Sequence, residues 1–378
     1  MTYLKRYLDA LDSLKSRGRH RILAPRAGHD FVSNDYLGLA GSEILNSAAK
    51  AALDRGVSLG SGGSRLLRGN TSEHELLETE AATFFNTERA LFFGAGFTAN
   101  SAIFSSLPDR DDLVVHDALI HASAHDGMRL GRADTVAFAH NNVTHAENLI
   151  KDWRAKGGAG RIWLAFESVY SMDGDLAPVE DLVALANQHD AFILADEAHA
   201  TGVFGDHGRG LMHNYARAEN VLTLHTCGKG LGVSGALVCG ASPLIDTLIN
   251  RARGFVFATA PSPLTATLVR AALAEIRMSE QRQTELKSLV AHAHALAEKH
   301  CGLSNLSSQI IPVIIGADKT TMGCAAELQA NGFDIRGIRP PTVPQDTSRL
   351  RISITLNTSA EIISEMFAIL GKELETLR

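Results

Sequence analysis

Lys229 stands between Gly228 and Gly230, directly after the apolar run VLTLHT (221–226). Glycines on both sides of a lysine suggest a backbone crowded by a ligand. Other polar groups sit in the same relation to an apolar run. AFILAD (191–196) ends in Asp196, followed by Glu197, Ala198 and His199. RIWLAFES (161–168) ends near Glu167 and Ser168, with Ser171 just beyond, and ALFF (90–93) opens into Gly94-Ala95-Gly96-Phe97-Thr98. In an open α/β sheet the ligand lies beyond the carboxyl ends of the strands, so these residues share one rim if the runs are strands. Their chemistry is complementary. A lysine amine condenses with an aldehyde, and a carboxylate holds a ring nitrogen protonated. A glycine turn opening a helix offers N–H groups to a phosphate, and hydroxyls complete the cradle. Those are the needs of pyridoxal phosphate. Singly, each residue has a plainer explanation: an Asp at a strand end caps a helix, and a buried His such as His199 or His121 is usually a hydrogen-bonded core residue. The combination and its order carry the reading.

The elements that must position this set follow from the hydrophobic pattern. DLVVHD (112–117) and GALVCG (235–240) complete six strand candidates, whose apolar runs are continuous because both faces of a parallel sheet are covered. Amphipathic stretches fit between several of them. One is 179–188, which places Val179, Leu182, Val183, Leu185 and Ala186 on one side of a helix. This alternation predicts a doubly wound, mostly parallel α/β domain over residues 40–275. IIPVIIG (310–316), a helix near 320–331 and LRISITL (350–356) predict a smaller α+β domain over 276–378. Leu4, Tyr7, Leu8, Leu11 and Leu14 fall at helical spacing, so segment 1–39 reads as an amphipathic arm packed with the small domain. A length of 378 residues suits two cores better than one. The net charge of -6 gives no general attraction to nucleic acid or to an anionic membrane. No uninterrupted run of about 18 apolar residues suggests a membrane span, and the charged opening MTYLKRYLDALDSLKSRGRHR is unlike a signal peptide. The expectation is a cytoplasmic protein. Its four cysteines, Cys227, Cys239, Cys301 and Cys324, lack metal spacing and read as reduced thiols with no metal site.

Longer strings carry a family resemblance. They are SNDYLGLA (33–40), GSGGSR (60–65) with His74 and Glu75, FFGAGFTAN (92–100) and ESVYSMDGDLAP (167–178), then ADEAHATGVFGDHGRG (195–210), HTCGKGLGVSG (225–235) and IRPPTVP (338–344). Together they resemble the α-oxoamine synthase family from about residue 5 to about 358, and SMDGD, DEAH and the GKG lysine at these separations are highly specific. The resemblance implies a fold type I pyridoxal-phosphate-dependent transferase that joins an amino acid to an acyl thioester with loss of carbon dioxide. It implies that Lys229 carries the cofactor and moves the Cα proton, and that Asp196 pairs with the pyridine nitrogen. His199 and Ser171 would bond the ring oxygen, and His121 would stack on the pyridine face. The backbone of Gly96 and Phe97, with Thr226, would hold the phosphate. Thr259, in FATAPSPL, would reach the phosphate bound to a partner subunit, making a homodimer with a shared active site. Arg351, with Asn34, would grip the amino-acid carboxylate. Arg21, Arg339 and Thr342 would line the acyl-donor side, with Arg17 and Arg19 as alternative registers for Arg21. IRPPTVP is most similar to the biotin-pathway branch of the family, which joins L-alanine to a pimeloyl thioester of CoA or a carrier protein.

The chain departs from the family pattern at two places. Ala200 stands where glycine is common, and LNTSAE follows the RLRIS run without the histidine that often ends it. Three other readings compete. One is a sister synthase using glycine and a shorter acyl-CoA. Another is a non-catalytic partner subunit of the same fold, disfavoured because Lys229 is present. The third is a nicotinamide-binding oxidoreductase, since Gly94-Ala95-Gly96-Phe97-Thr98-Ala99 fits GxGxxA after a strand and Asp117 ends the next run 21 residues beyond Gly96. That reading leaves Lys229, SMDGD and DEAH unexplained.

Overall fold

The computed structural model describes residues 3–278 and 280–377. In chain order its strands are β1 (His29–Asp30), β2 (Arg89–Phe93), β3 (Leu113–Asp117), β4 (Asp134–Phe138), β5 (Ile162–Glu167), β6 (Phe192–Asp196), β7 (Val221–Thr226), β8 (Ala236–Gly240), β9 (Ile310–Gly316), β10 (Phe333–Asp334), β11 (Gly337–Ile338) and β12 (Ser348–Ser353). By internal packing the chain divides into a larger unit, residues 34–171 with 175–287, and a smaller one, residues 1–33 with 172–174 and 288–378.

The larger unit is built on one seven-stranded sheet of order β2-β8-β7-β6-β5-β3-β4. The five strands from β7 to β4 run parallel, and β8 lies antiparallel between β2 and β7. Every residue of β3, β5, β7 and β8 is buried, which is why these strands read as unbroken apolar runs. Their side chains still alternate between two cores. Val114, Trp163, Ala165, Leu194, Leu222 and Leu224 join the cluster that includes the helix Gly96–Ser106. Leu113, Val115, Ile162, Leu164, Phe166, Ile193, Ala195 and Val221 join the opposite cluster, with the helices Val143–Ala155 and Val179–Gln188. β4 escapes sequence inspection because it is the sheet edge: three of the five residues of DTVAF are exposed and only Phe138 is buried, so no apolar run marks it.

In the smaller unit β11, β12 and β9 form an antiparallel sheet, and β1 pairs in parallel with β10. Gly174 belongs here. Its φ of +69° and a Cβ position only 2.2 Å from the Ile310 carbonyl oxygen exclude a side chain, which explains the glycine of SMDGD. The helix Lys5–Ser16 forms as its spacing predicts, but it buries no residue. The expected packing of its apolar stripe is not made within the chain, where Tyr7 and Leu8 remain 67% and 53% exposed. No helix among the described residues is long and apolar enough to cross a membrane, and no cluster of three His, Cys, Asp or Glu among them could hold a metal ion.

One polar knot lies on the second face of the large sheet. The carboxylate of Asp117, at the end of β3 and fully buried, accepts from the amides of Leu119 and Asn141 at 2.8 Å and meets His140 Nδ1 at 2.9 Å. The other ring nitrogen of His140 lies 2.7 Å from Asp175 Oδ2. Burial opposes charge on this imidazole, but its hydrogen bonds and attraction to Asp117 and Asp175 outweigh that and raise its pKa to about 10. Asp117 is therefore consumed by the fold, which removes the ribose-binding acid that a dinucleotide fingerprint at Gly94–Ala99 requires. His140→Leu leaves a buried carboxylate without its cation, a change worth about 3–5 kcal/mol. Because the folded imidazole titrates near 10 against an ordinary 6.5, the stabilisation is complete below pH 6.5 and is lost as pH rises through 10. The wild-type advantage in a denaturant titration should therefore shrink steadily from pH 7 to pH 10. A gap that stays constant would show that His140 is neutral in the fold.

Candidate active site

The alternation that separates the two cores also aims the residues at the strand ends. Glu167 continues the side of Trp163 and Ala165, Asp196 that of Leu194, and Thr226 that of Leu222 and Leu224. All three face the helix Gly96–Ser106. β5 and β6 pair with Glu167 opposite Asp196, so two carboxyl groups stand side by side on adjacent strands. Asp196 is 8% exposed and is held as an acceptor at both oxygens: Asn100 Nδ2 donates to Oδ2 at 2.7 Å and the Ala198 amide to Oδ1 at 2.9 Å. Glu197, one residue on, takes the opposite side. It is fully buried, and a Cβ on Gly210 (φ +95°) would lie 1.5 Å from its Oε2. Burial first, with a smaller push from Asp196, raises its carboxyl to about 7. DEAH thus divides its two acids between two faces of the sheet.

Gly96 opens its helix, and the N–H groups of its first turn lie outside the intrahelical ladder. A Cβ at Gly96 would stand 2.5 Å from Thr226 Cγ2, so the glycine is required by the neighbouring strand end as well as by any ligand. Thr226 is buried and its hydroxyl donates to the Ala198 carbonyl at 3.3 Å. Phe97 is half exposed, at 49%. Lys229 follows β7 in a turn closed by the Gly232 amide on its carbonyl at 2.9 Å. Its charge acts on both His121 and Glu167, which places the amine in this pocket. The flanking glycines have a different origin from the one expected. A Cβ at Gly230 would meet the Thr201 carbonyl oxygen at 2.4 Å, whereas one at Gly228 would meet nothing nearer than 3.8 Å. The crowding comes from the chain itself.

His121 caps the helix Ala122–Leu130 by accepting the Ser123 amide at Nδ1, 3.2 Å away. His121 is exposed as a residue, yet enough protein surrounds its ring that burial lowers its pKa, with Lys229 lowering it further and Asp196 opposing. A capped, neutral ring that solvent still reaches suits stacking. His199 is buried, and its Nδ1 lies 2.6 Å from the hydroxyl of Tyr36, which in turn donates to Asn34 Oδ1 at 3.1 Å. Ser171 is buried, and its amide donates to Glu167 Oε2 at 3.0 Å. Thr259 is exposed, its backbone bridged to Ser64 of the GSGGSR string.

The larger unit therefore assembles Gly96, His121, Ser171, Asp196, His199, Thr226 and Lys229 at the carboxyl end of its sheet. In the smaller unit Arg21 and Thr342 meet at 3.5 Å, and Arg339 donates to the Gly18 carbonyl. Arg351 is buried and bonds Ser353 Oγ at 2.8 Å, whereas the neighbouring Arg349 is taken by Asp173 of SMDGD. Three residues with evident parts in the site, Asn100, Tyr36 and Glu167, received no role from the sequence. Asn100 and Tyr36 lay inside FFGAGFTAN and SNDYLGLA, but only the fold pairs them with Asp196 and His199.

Residues 28–366 match the family described as aminotransferase class I and II. The chain belongs to that family, in its α-oxoamine synthase branch. It is 39% identical to an 8-amino-7-oxononanoate synthase of Chromobacterium violaceum, covering 90% of this chain and 87% of that one. It is 38% identical to the enzyme of that name from Geobacter sulfurreducens, over 96% and 97% of the two chains. Among solved structures, serine palmitoyltransferase of Sphingomonas wittichii superposes with a TM-score of 0.89 at 26% identity, over 100% and 99%. The structure of that enzyme from S. paucimobilis with a bound PLP–myriocin aldimine gives 0.87 at 25%, over 99% and 98%.

The pairing of Asn100 with Asp196 can be tested alone. Asn100→Ala should cost about 1.5–3 kcal/mol, the range for a hydrogen bond to a charged group, read as a lower denaturation midpoint. Asn100→Asp sets an acid against Asp196 and should be more damaging at pH 8 than at pH 5, where a shared proton relieves the repulsion. Equal damage at both pH values would mean that Asn100 does not face a charge.

Proposed function

We propose that this chain is an 8-amino-7-oxononanoate synthase that condenses L-alanine with a pimeloyl thioester, releasing carbon dioxide and the thiol. The observation that carries the reading is the Asp196–Asn100 pair beside Lys229, in a chain 36–39% identical to enzymes of that name over most of its length. The serine palmitoyltransferases above stand at 25–26% identity, so substrate likeness favours the first group.

The residues fit pyridoxal phosphate. A helix start bounded by Gly96 and Thr226 suits the phosphate, Asp196 is a buried acceptor for a protonated ring nitrogen, and His121 offers an exposed ring. When bound, the cofactor supplies an electron-poor ring that takes up the charge left at Cα when a proton or a carboxylate departs. The chain's residues do the rest. Lys229 would hold the cofactor through its aldehyde carbon, and its amine would take the Cα proton of the amino acid and later return one. A single group serves as base and acid because it stays beside Cα throughout. Asp196 keeps the ring nitrogen protonated, while His199 and Ser171 bond the ring oxygen, with Tyr36 holding His199 in place. Arg351 and Asn34 take the amino-acid carboxylate. Arg21, Arg339 and Thr342 face the acyl donor. Thr259 serves the phosphate of a partner subunit in a homodimer.

Purified protein supplied with pyridoxal phosphate should be yellow, and borohydride should fix the label on the peptide containing Lys229. Label on another lysine would overturn the assignment. Lys229→Ala should bind the cofactor yet lose turnover by several kcal/mol of transition-state stabilisation, as covalent attachment and proton transfer vanish together.

Substrate choice is tested separately. One methyl group gives a pocket about 1–3 kcal/mol of discrimination, so alanine should be preferred to glycine by about tenfold to two hundredfold in kcat/KM. Neutralising Arg21 or Arg339, whichever reads the distal carboxylate, should raise KM for pimeloyl-CoA and flatten its advantage over an uncharged acyl-CoA of equal length. Better turnover of glycine with acetyl-CoA would place the chain among the glycine-using sister synthases instead.

A further inference from the structure

Glu167 is a buried acid that the reaction as described leaves without a task. It is 2% exposed and ends β5 in register with Asp196, on the same side of the sheet. Its Oε2 accepts the Ser171 amide at 3.0 Å, which fixes the carboxyl plane. Its Oε1 is shielded from solvent and has no hydrogen-bond partner among the described residues. A buried carboxyl oxygen left without a partner is costly, because buried polar groups are as a rule hydrogen-bonded. This oxygen stands at the carboxyl end of the sheet, within the fields of Asp196 and Lys229.

We propose that Glu167 is a working member of the cofactor pocket: it keeps its proton on Oε1 and donates that O–H to the ring oxygen of bound pyridoxal phosphate, alongside Ser171. The inference rests on the cofactor reading above. Two adjacent carboxyls at the same strand level cannot both ionise cheaply. Asp196 already has two donors on its oxygens, so the proton belongs to its neighbour. The titratable groups facing Glu167 are Asp196 on β6, Lys229 beyond β7 and Tyr170 on its own turn. Burial, and then Asp196, raise the Glu167 carboxyl to about 8, against smaller opposing effects of Lys229 and Ser171. Near neutral pH the residue is therefore an acid with a donor to offer. Above that range it becomes a carboxylate facing an oxygen that also prefers negative charge. Glu167 would thus govern how strongly the ring oxygen is held, and with it the ionisation of the Lys229–cofactor link.

Glu167→Gln keeps a neutral donor of the same shape and removes the titration. With pyridoxal phosphate bound, the absorption spectra of the two proteins should agree at pH 7 and diverge by pH 9.5, the wild type alone showing an inflection near pH 8. Spectra that overlay at every pH, or that differ equally at pH 7 and 9.5, overturn the proposal. A wild type that forms no chromophore overturns the cofactor reading as well, whereas a chromophore with no inflection near pH 8 overturns this inference alone. A second readout needs no cofactor. An acid whose folded pKa is raised from 4.5 to about 8 loses stability as pH climbs between those values. In cofactor-free protein the denaturation midpoint of Glu167→Gln should therefore gain on the wild type from pH 5 to pH 8 and hold level above it. A difference independent of pH would show that Glu167 is already ionised, and would overturn the proposal.

Discussion

A carboxylate placed where water hardly reaches must be given donors, because burying one unpaired costs far more than a domain can absorb. Asp196 meets that demand with the Asn100 side chain and the Ala198 amide. Much of the site depends on this arrangement. Asn100 can reach Asp196 only if the helix Gly96–Ser106 lies on that face of the sheet. With the helix there, its N-terminus opens beside the end of β7, where Thr226 and then Lys229 follow. The turn around Ala198 leads directly to His199. One buried acid thus ties together the phosphate end, the lysine and the histidine.

The alternation of strand side chains explains how several acids coexist within a few residues. Asp196 and Glu167 face one side, Asp117 and Glu197 the other. Each is handled differently. Asp117 meets a histidine that it keeps charged, and Glu197 has Gly210 pressed against it. Glu167 has one oxygen bound and one shielded from solvent without a partner among the described residues. The five residues of SMDGD are shared out in the same spirit. Ser171 and Asp175 belong to the larger unit, the latter held by His140, while Asp173 belongs to the smaller unit, where Arg349 takes it.

By itself the sequence determined the layered architecture and the chemical type of the site. Fully buried strands must be apolar on both faces, so β3, β5, β7 and β8 announce themselves as unbroken runs, and the polar residues that stop each run mark the ligand rim. The lysine, the acid and the glycine helix start were visible because such chemistry has few substitutes. Local sequence could not reveal β4, since an edge strand need not be apolar. It assigned Lys229's glycines to a ligand when the Thr201 carbonyl crowds Gly230, and it left Asp117 open to a nucleotide role that His140 forecloses. Partnerships across 23, 96 and 163 residues, as in Asp117–His140, Asn100–Asp196 and Tyr36–His199, leave no periodicity to read. Only the tertiary structure decided which buried acid is paired and which keeps a proton, because that depends on the donors and charges packed around each carboxyl, and the chain brings those together only when it folds.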